Sequence, residues 1–162
     1  MDIVSTENPN FREVAEAALP HTDYLIINEV EAGKIVGMNL KTVPVNVSAV
    51  SDAARALLAK GVHKQVVIHF EAGAVVADSE GHVSIQASLN LPPGFIVGAT
   101  GAGDAFAAGY LHGIHEGWSI ADCLTLAVCS AAACLTHPTP SEGLRPVADC
   151  LRLADEHGFR LP

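Results

Sequence analysis

Residues 96–109 read Ile96-Val-Gly-Ala-Thr-Gly-Ala-Gly-Asp-Ala-Phe-Ala-Ala-Gly109, and this glycine-rich segment is the most informative part of the sequence. A short apolar run stops at Gly98, small residues follow, and a helix is predicted to begin around Gly101. Glycines let a backbone come close to a ligand, and the N–H groups at a helix start attract anions. Asp104 would lie among those N–H groups, where it could accept a proton from a hydroxyl. The same residues also suit a plain strand-to-helix turn.

Two better-known phosphate motifs are excluded. A Walker motif needs Gly-Lys followed by Ser or Thr, but Gly33-Lys34 is followed by Ile35. A dinucleotide motif that starts at Gly101 would need a glycine where Phe106 stands. The glycine-rich stretch therefore belongs to neither class.

The rest of the chain alternates predicted strands and helices. Hydrophobic patterns and turn residues predict strands at 2–5, 24–27, 65–70, 74–77, 83–87 and 95–97. They predict helices at 8–19, 29–36, 101–117 and 119–135. A further helix is predicted to end at Lys60, with Ser48 or Ser51 as its cap, and a last one has Pro146 in its first turn and ends before Gly158. This order predicts an α/β fold, with a doubly wound, mostly parallel sheet flanked by helices and a small β-hairpin insertion.

Length and composition indicate what kind of protein this is and which partners are excluded. With 162 residues, of which 49% are hydrophobic, the chain is predicted to form a single domain, 1–162, with a packed core. Its formal net charge of −9 argues against nucleic acid and anionic membranes as partners. Residues 124–135, the most apolar region, are too short to span a bilayer.

The start of the sequence and the spacing of its cysteines predict a cytoplasmic protein. The start MDIVSTENPN has no basic segment followed by an apolar one, so no signal peptide is expected. The four cysteines show no CxxC spacing, and three of them share one predicted helix. Reduced and mostly buried thiols in a cytoplasmic protein are the expectation.

The longer string Ala99-Thr-Gly-Ala-Gly-Asp-Ala-Phe-Ala-Ala-Gly109 resembles the second signature of the ribokinase-like (PfkB) carbohydrate kinase family. Residues 23–32 resemble the family's strand that ends in Asn-x-x-Glu, here Asn28 and Glu31. Residues 65–78 resemble the strand and glycine turn that border the nucleotide, and the Ala-rich helix after Ser119 resembles the wall of the adenine site. The resemblance covers essentially the whole chain, which would be the carboxy-terminal, nucleotide-binding half of an incomplete ribokinase-like fold.

The resemblance implies a reaction and its catalytic residues. In this family a sugar or nucleoside hydroxyl attacks the terminal phosphate of ATP. By position, Asp104 would be the general base, and the N–H groups of Gly101, Ala102 and Gly103 would form an anion hole. The implied function is an ATP-dependent carbohydrate kinase whose partners are a nucleotide and a small sugar or related alcohol.

The resemblance also implies cofactors. Asn28 and Glu31 would help to hold Mg²⁺ through water, although the same pair suits an ordinary helix start with an acidic first turn. The positions implied for ATP binding are Asn28, Glu31, His69, Glu71, Gly73, Thr100, Gly101 and Gly103.

The sequence departs from the family pattern at three points. Gly98 stands where many members have an aspartate that helps to bind an activating monovalent cation, so such activation is not expected. Glu71 replaces the usual threonine of the nucleotide turn and adds negative charge there. The family's amino-terminal half, with its sugar-binding residues and β-strand lid, matches nothing in residues 1–162.

A different class of function therefore stays open beside the kinase. The chain could be a non-catalytic nucleotide-binding or assembly module derived from such a kinase. An incomplete doubly wound sheet would expose a strand edge, which predicts a homo-oligomer or association with the missing half.

Overall fold

The computed structural model describes residues 1, 3 and 8–160, and it divides the chain into two compact units. The first unit consists of Met1–Phe70 and Ala74–Ile85. The second unit consists of Glu71–Gly73 and Gln86–Pro162. The assignment of one domain to residues 1–162 stays a prediction.

The first unit combines helices with most of a four-stranded sheet whose strand order is β1-β2-β3-β4. Gly73, at the start of the third strand, and residues 86–87, at the end of the fourth, belong to the second unit. Its helices are α1 Phe11–Ala18, which runs on into a 3₁₀ turn Leu19–His21, α2 Glu29–Val36 and α3 Val47–Ala59. The strands are β1 Tyr24–Asn28, β2 Gln65–Phe70, β3 Gly73–Asp78 and β4 Val83–Ala87.

The α/β class is confirmed, and the sheet is mixed. β1 pairs with β2 in parallel, with Asn28 opposite His69 at the carboxyl ends of the two strands. The connections 71–72 and 79–82 are too short for a crossover, so β3 and β4 run antiparallel to their preceding neighbours. The predicted hairpin insertion thus supplies half of the strands of this sheet.

Burial follows the hydrophobic pattern of the sequence. Leu25–Ile27 and Val66–Ile68 are buried in the middle of β1 and β2, as expected for strands covered on both faces. In α3 the buried residues recur at helical spacing, at positions 50, 53, 54 and 57. The apolar face of α3 therefore closes the core of the first unit.

Two helix ends differ from their predictions. The N-cap of α3 is Asn46, whose side chain accepts the N–H of Ala49, so the prediction of Ser48 or Ser51 was wrong. Ser51 instead lies inside the helix and donates to the carbonyl of Val47 at 2.8 Å. Pro20 lies within the 3₁₀ turn that follows α1.

The second unit contains three helices, α4 Ala102–His115, α5 Ile120–Cys134 and α6 Val147–His157. Ser119 caps α5 through the N–H of Asp122, as predicted. Two glycines of α4 face α5 closely: a Cβ at Gly109 would lie 2.7 Å from the Ser130 hydroxyl, and one at Gly113 would lie 2.7 Å from the Cys123 sulfur. The backbone of α4 at these two glycines therefore packs directly against side chains of α5, and a larger residue at either position would not fit.

The predicted strand at 95–97 was wrong. Residues 95–97 form no strand, and Ile96 and Val97 are exposed. The N–H of Val97 donates instead to the carbonyl of Leu135, just beyond α5, at 2.8 Å. This segment is therefore joined to the end of α5 by a backbone hydrogen bond and lies outside the sheet. The predicted strand at 2–5 lies outside the described residues except for Ile3.

No helix in the described part of the chain is both long and apolar enough to cross a membrane. All four cysteines are unpaired and buried, which confirms the expectation of buried thiols. Burial raises the pKa of the Cys129 thiol from 9.0 to about 11, and the neighbouring Cys150 adds to this rise.

This raised pKa predicts a loss of stability in alkali. The thiol of Cys129 ionises more readily in the unfolded chain than in the folded one, so its contribution is complete below pH 9 and declines as pH rises toward about 11. A shift of this size corresponds to roughly 3 kcal/mol. Urea unfolding across this range should show a steeper decline for the natural protein than for Cys129→Ala, and equal declines would contradict the prediction.

Candidate active site

The turn before α4, residues 98–104, is called the glycine turn here. Gly101 is the N-cap of α4 and has φ +85°, a left-handed conformation that favours glycine. A Cβ at this position would also lie 2.5 Å from the carbonyl oxygen of Pro140. Both the backbone conformation and the close approach of Pro140 therefore require a glycine at 101.

Several backbone N–H groups at the start of α4 have no hydrogen-bond acceptor in the described part of the chain. Its first helical hydrogen bond runs from the N–H of Ala105 to the carbonyl of Gly101 at 2.8 Å. The N–H of Ala102 donates to the carbonyl of Ala99 at 3.3 Å. Within the described residues, the N–H groups of Gly101, Gly103 and Asp104 have no acceptor. No side chain caps this helix, so its positive end is open to an anion.

The segment that follows α5 supports the glycine turn from behind. The Cys134 thiol donates toward the carbonyls of Pro140 at 3.3 Å and Thr100 at 3.6 Å. A Cβ at Gly98 would lie 2.8 Å from the Cα of Pro138. These contacts fix the backbone of the glycine turn on both sides of Thr100.

Asp104 occupies the first turn of α4, and its side chain is exposed. Its negative charge reaches Cys134: burial raises the pKa of that thiol, and the Asp104 carboxylate adds to the effect. The carboxylate of Asp104 is thus open to solvent and lies in the same helical turn as the N–H groups of the glycine turn.

Asn28 and Glu31 form a capping box at the start of α2. The Asn28 side chain accepts the N–H groups of Val30 and Glu31 at 3.0 and 2.9 Å, and Glu31 accepts the N–H of Asn28 at 3.0 Å. Glu31 is only 4% exposed. The two residues therefore have the structural role of a helix start.

This capping box predicts a measurable difference between two asparagine caps. Asn28→Ala should lower the free energy of unfolding by about 1–2 kcal/mol, because it leaves two donors without their acceptor. Asn46→Ala is the matched control, since Asn46 accepts one N–H and is exposed. Urea unfolding of both variants tests this, and an equal or larger loss at Asn46 would contradict it.

The residues of the nucleotide turn lie at the end of β2. His69 is next to Asn28 across the parallel pair. Glu71 is exposed and forms an ion pair with Arg160 at 3.6 Å. A Cβ at Gly73 would lie 2.3 Å from the carbonyl oxygen of Gln86, so this glycine is required by close packing.

The predicted site residues divide between the two units. The first unit brings together Asn28, Glu31 and His69. The second unit contains Glu71, Gly73, Thr100, Gly101, Ala102, Gly103 and Asp104.

Comparison with known proteins decides the family. The sequence profile of the pfkB family of carbohydrate kinases matches residues 1–146. The chain belongs to the pfkB carbohydrate kinase family. This membership confirms the resemblance drawn from the glycine-rich signature.

Several pfkB-family kinases are similar in sequence. Adenosine kinase 1 of Arabidopsis thaliana is 32% identical over 118 residues, which is 70% of this chain and 33% of that protein. The ribokinase of A. thaliana is 29% identical over 135 residues, which is 83% of this chain and 33% of that protein. The chain therefore spans about a third of the length of the curated relatives that it matches.

Solved structures confirm a ribokinase-like fold. The structure of A. thaliana ribokinase complexed with ribose and ATP matches with a TM-score of 0.76 at 25% identity, over 94% of this chain and 46% of that one. A candidate ribokinase II from E. coli, in complex with ATP and Mg²⁺, matches with a TM-score of 0.73 at 22% identity, over 92% of this chain and 44% of that one.

Sequence reasoning missed one charged residue beside the predicted nucleotide turn. Arg160 follows α6, and its N–H donates to the carbonyl of Ser88 at 2.8 Å. The adjoining pair Leu89 and Phe159 forms an antiparallel bridge. No sequence motif predicts that Arg160 lies beside this turn, because the contacting residues are far apart in the chain.

Proposed function

We propose that this chain carries the nucleotide side of an ATP-dependent phosphotransferase that acts on a hydroxyl of a sugar or nucleoside. The observation that carries the proposal is the exposed carboxylate of Asp104 in the same helical turn as the open N–H groups of Gly101 and Gly103. The named activities of the relatives, adenosine kinase, ribokinase and cytidine kinase, support this class of acceptor.

The open end of α4 would stabilise charge on the transferring phosphoryl group. Phosphoryl transfer depends mainly on positioning and on electrostatic stabilisation of the phosphoryl oxygens. The N–H groups of Gly101 and Gly103 have no competing acceptor in the described residues, and that of Ala102 has only a 3.3 Å bond to Ala99. Because contacts behind the glycine turn already hold its backbone, these donors need little reorganisation.

Asp104 would act as the general base. A hydroxyl is a very weak acid, so the base need only take its proton while the bond to phosphorus forms. Solvent exposure of the Asp104 side chain leaves it accessible to an acceptor hydroxyl.

Asn28 and Glu31 suit a water-mediated role toward Mg²⁺. Both side chains already accept N–H groups in the capping box, so direct ligation would compete with these bonds. Carboxylate and amide oxygens such as those of Glu31 and Asn28 can accept hydrogen bonds from water held by the ion. When bound, Mg²⁺ would neutralise charge on the phosphates.

The remaining nucleotide contacts are proposed at His69, Glu71, Gly73 and Thr100. No monovalent cation is included, because Gly98 stands where many members of the family have the aspartate that helps to bind one. A cytoplasmic location is proposed from the four unpaired thiols. Association with a second chain also stays a prediction.

A transfer assay with labelled ATP, Mg²⁺ and either ribose or adenosine tests the proposal. Transfer of the terminal phosphate to either acceptor is the expected result. ATP binding without any transfer would favour the second function, a nucleotide-binding module.

A further inference from the structure

Ser88 joins the nucleotide turn to the end of the chain. Its N–H donates to the carbonyl of Ala72 at 2.8 Å, and its hydroxyl donates to the carbonyl of Glu71 at 3.0 Å. Its own carbonyl accepts the N–H of Arg160 at 2.8 Å. Three hydrogen bonds to one residue therefore fix the backbone of Arg160 beside the turn 71–73.

The side chain of Arg160 is directed to the same turn. One guanidinium nitrogen lies 3.6 Å from the Glu71 carboxylate. The Glu71 side chain is 89% exposed and that of Arg160 is 36% exposed. An exposed ion pair of this kind contributes little and exchanges readily, so the guanidinium can turn to a stronger anion.

Arg160 is one of few positively charged side chains in the second unit. The segment Gln86–Pro162 contains three arginines and no lysine. Arg152 forms an ion pair with Asp149 on α6. A polyphosphate approaching the turn 71–73 would meet the Glu71 carboxylate, and a planar guanidinium is well suited to phosphate oxygens.

We propose that Arg160 is a phosphate-binding residue of the nucleotide site, and that Glu71 is a positioning residue that holds it beside the turn 71–73 until a nucleotide binds. This inference rests on the proposed nucleotide-binding function. It names a contact that the glycine turn does not supply, and it explains how an acidic residue is tolerated beside a polyphosphate.

Calorimetric titration with ATP and Mg²⁺, and separately with adenosine, tests this assignment. Arg160→Ala should weaken ATP binding about 10-fold, the usual effect of removing a charged hydrogen-bond donor. Adenosine has no phosphate, so its affinity should be unchanged, and the salt dependence of ATP binding should decrease. Arg152→Ala is the matched control and should leave both affinities unchanged.

The Glu71→Gln variant shows whether Arg160 binds phosphate itself or only neutralises the negative charge of the Glu71 carboxylate. If Arg160 contacts phosphate, Arg160→Ala should weaken ATP binding about 10-fold in the Glu71→Gln background as well. A loss confined to the natural background would overturn the proposal, as would an equal loss of adenosine affinity. If the natural chain binds ATP and Arg160→Ala binds it equally well, the role of Arg160 is contradicted but the proposed function is not. If the folded natural chain binds no ATP, both the role of Arg160 and the proposed function are contradicted.

Discussion

We expect the Asp104→Asn substitution to slow phosphoryl transfer by about 10²–10⁴-fold, the usual contribution of a general base. Asparagine keeps the size of the side chain and loses the ability to take a proton from the acceptor hydroxyl. ATP binding should be largely retained, because the carboxylate acts in the chemical step rather than in holding the nucleotide. The labelled-ATP transfer assay measures the rate, and calorimetry measures the binding.

Asp122→Asn is the matched control for this variant. Asp122 occupies the first turn of α5, as Asp104 does in α4, and it lies in the second unit too. The Ser119 hydroxyl donates to Asp122 at 2.6 Å, and an asparagine oxygen can accept the same bond. Transfer by Asp122→Asn should match the natural protein. Equal activity of Asp104→Asn and the natural protein would show that Asp104 is not the base.

Gly101→Ala is expected to lower the free energy of unfolding by about 2–4 kcal/mol. Part of this loss comes from the left-handed backbone at 101, which disfavours any Cβ. The rest comes from the carbonyl oxygen of Pro140, only 2.5 Å from the new Cβ. Urea unfolding monitored by circular dichroism measures the loss.

Gly117→Ala separates the two causes. Gly117 also has a left-handed backbone, with φ +73°, but a Cβ there would meet nothing within 4 Å. Its loss should therefore be the conformational part alone, about 1–2 kcal/mol. If Gly101→Ala costs no more than Gly117→Ala, then Pro140 does not restrict the glycine turn.

Local sequence patterns predicted most of the elements. The buried run 65–70 and the following hairpin were located from apolar residues bounded by turn residues, and the structure has them at Gln65–Phe70, Gly73–Asp78 and Val83–Ala87. The start of α4 was predicted from the glycines, because few other residues adopt the conformation of Gly101. These features depend on residues close together in the chain.

The errors arose where distant residues determine the structure. Residues 95–97 have the composition of a strand, but the N–H of Phe95 donates to the carbonyl of Pro92 and that of Val97 donates to the carbonyl of Leu135 at the end of α5. Asn46 competes with two serines as a cap, and only the structure shows which side chain accepts the N–H. Arg160 approaches Glu71 across most of the second unit's sequence, so no local pattern could reveal it.

The candidate site was predictable in part for the same reason. Asp104 and the glycines were identified because one continuous signature contains them. The capping role of Asn28 and Glu31 was also visible as a helix start, and the structure has it. The support of Gly101 by Pro140 could not be predicted, because it depends on how the chain returns after α5.

Calorimetric titration of the folded chain with ATP and Mg²⁺ is the decisive test of ATP binding at the glycine turn. We expect saturable binding of one ATP per chain, and we expect the Asp104→Asn variant to retain it. Circular dichroism on the same sample establishes that the chain is folded. No binding by a folded chain would contradict the assignment of the glycine turn as a working anion site.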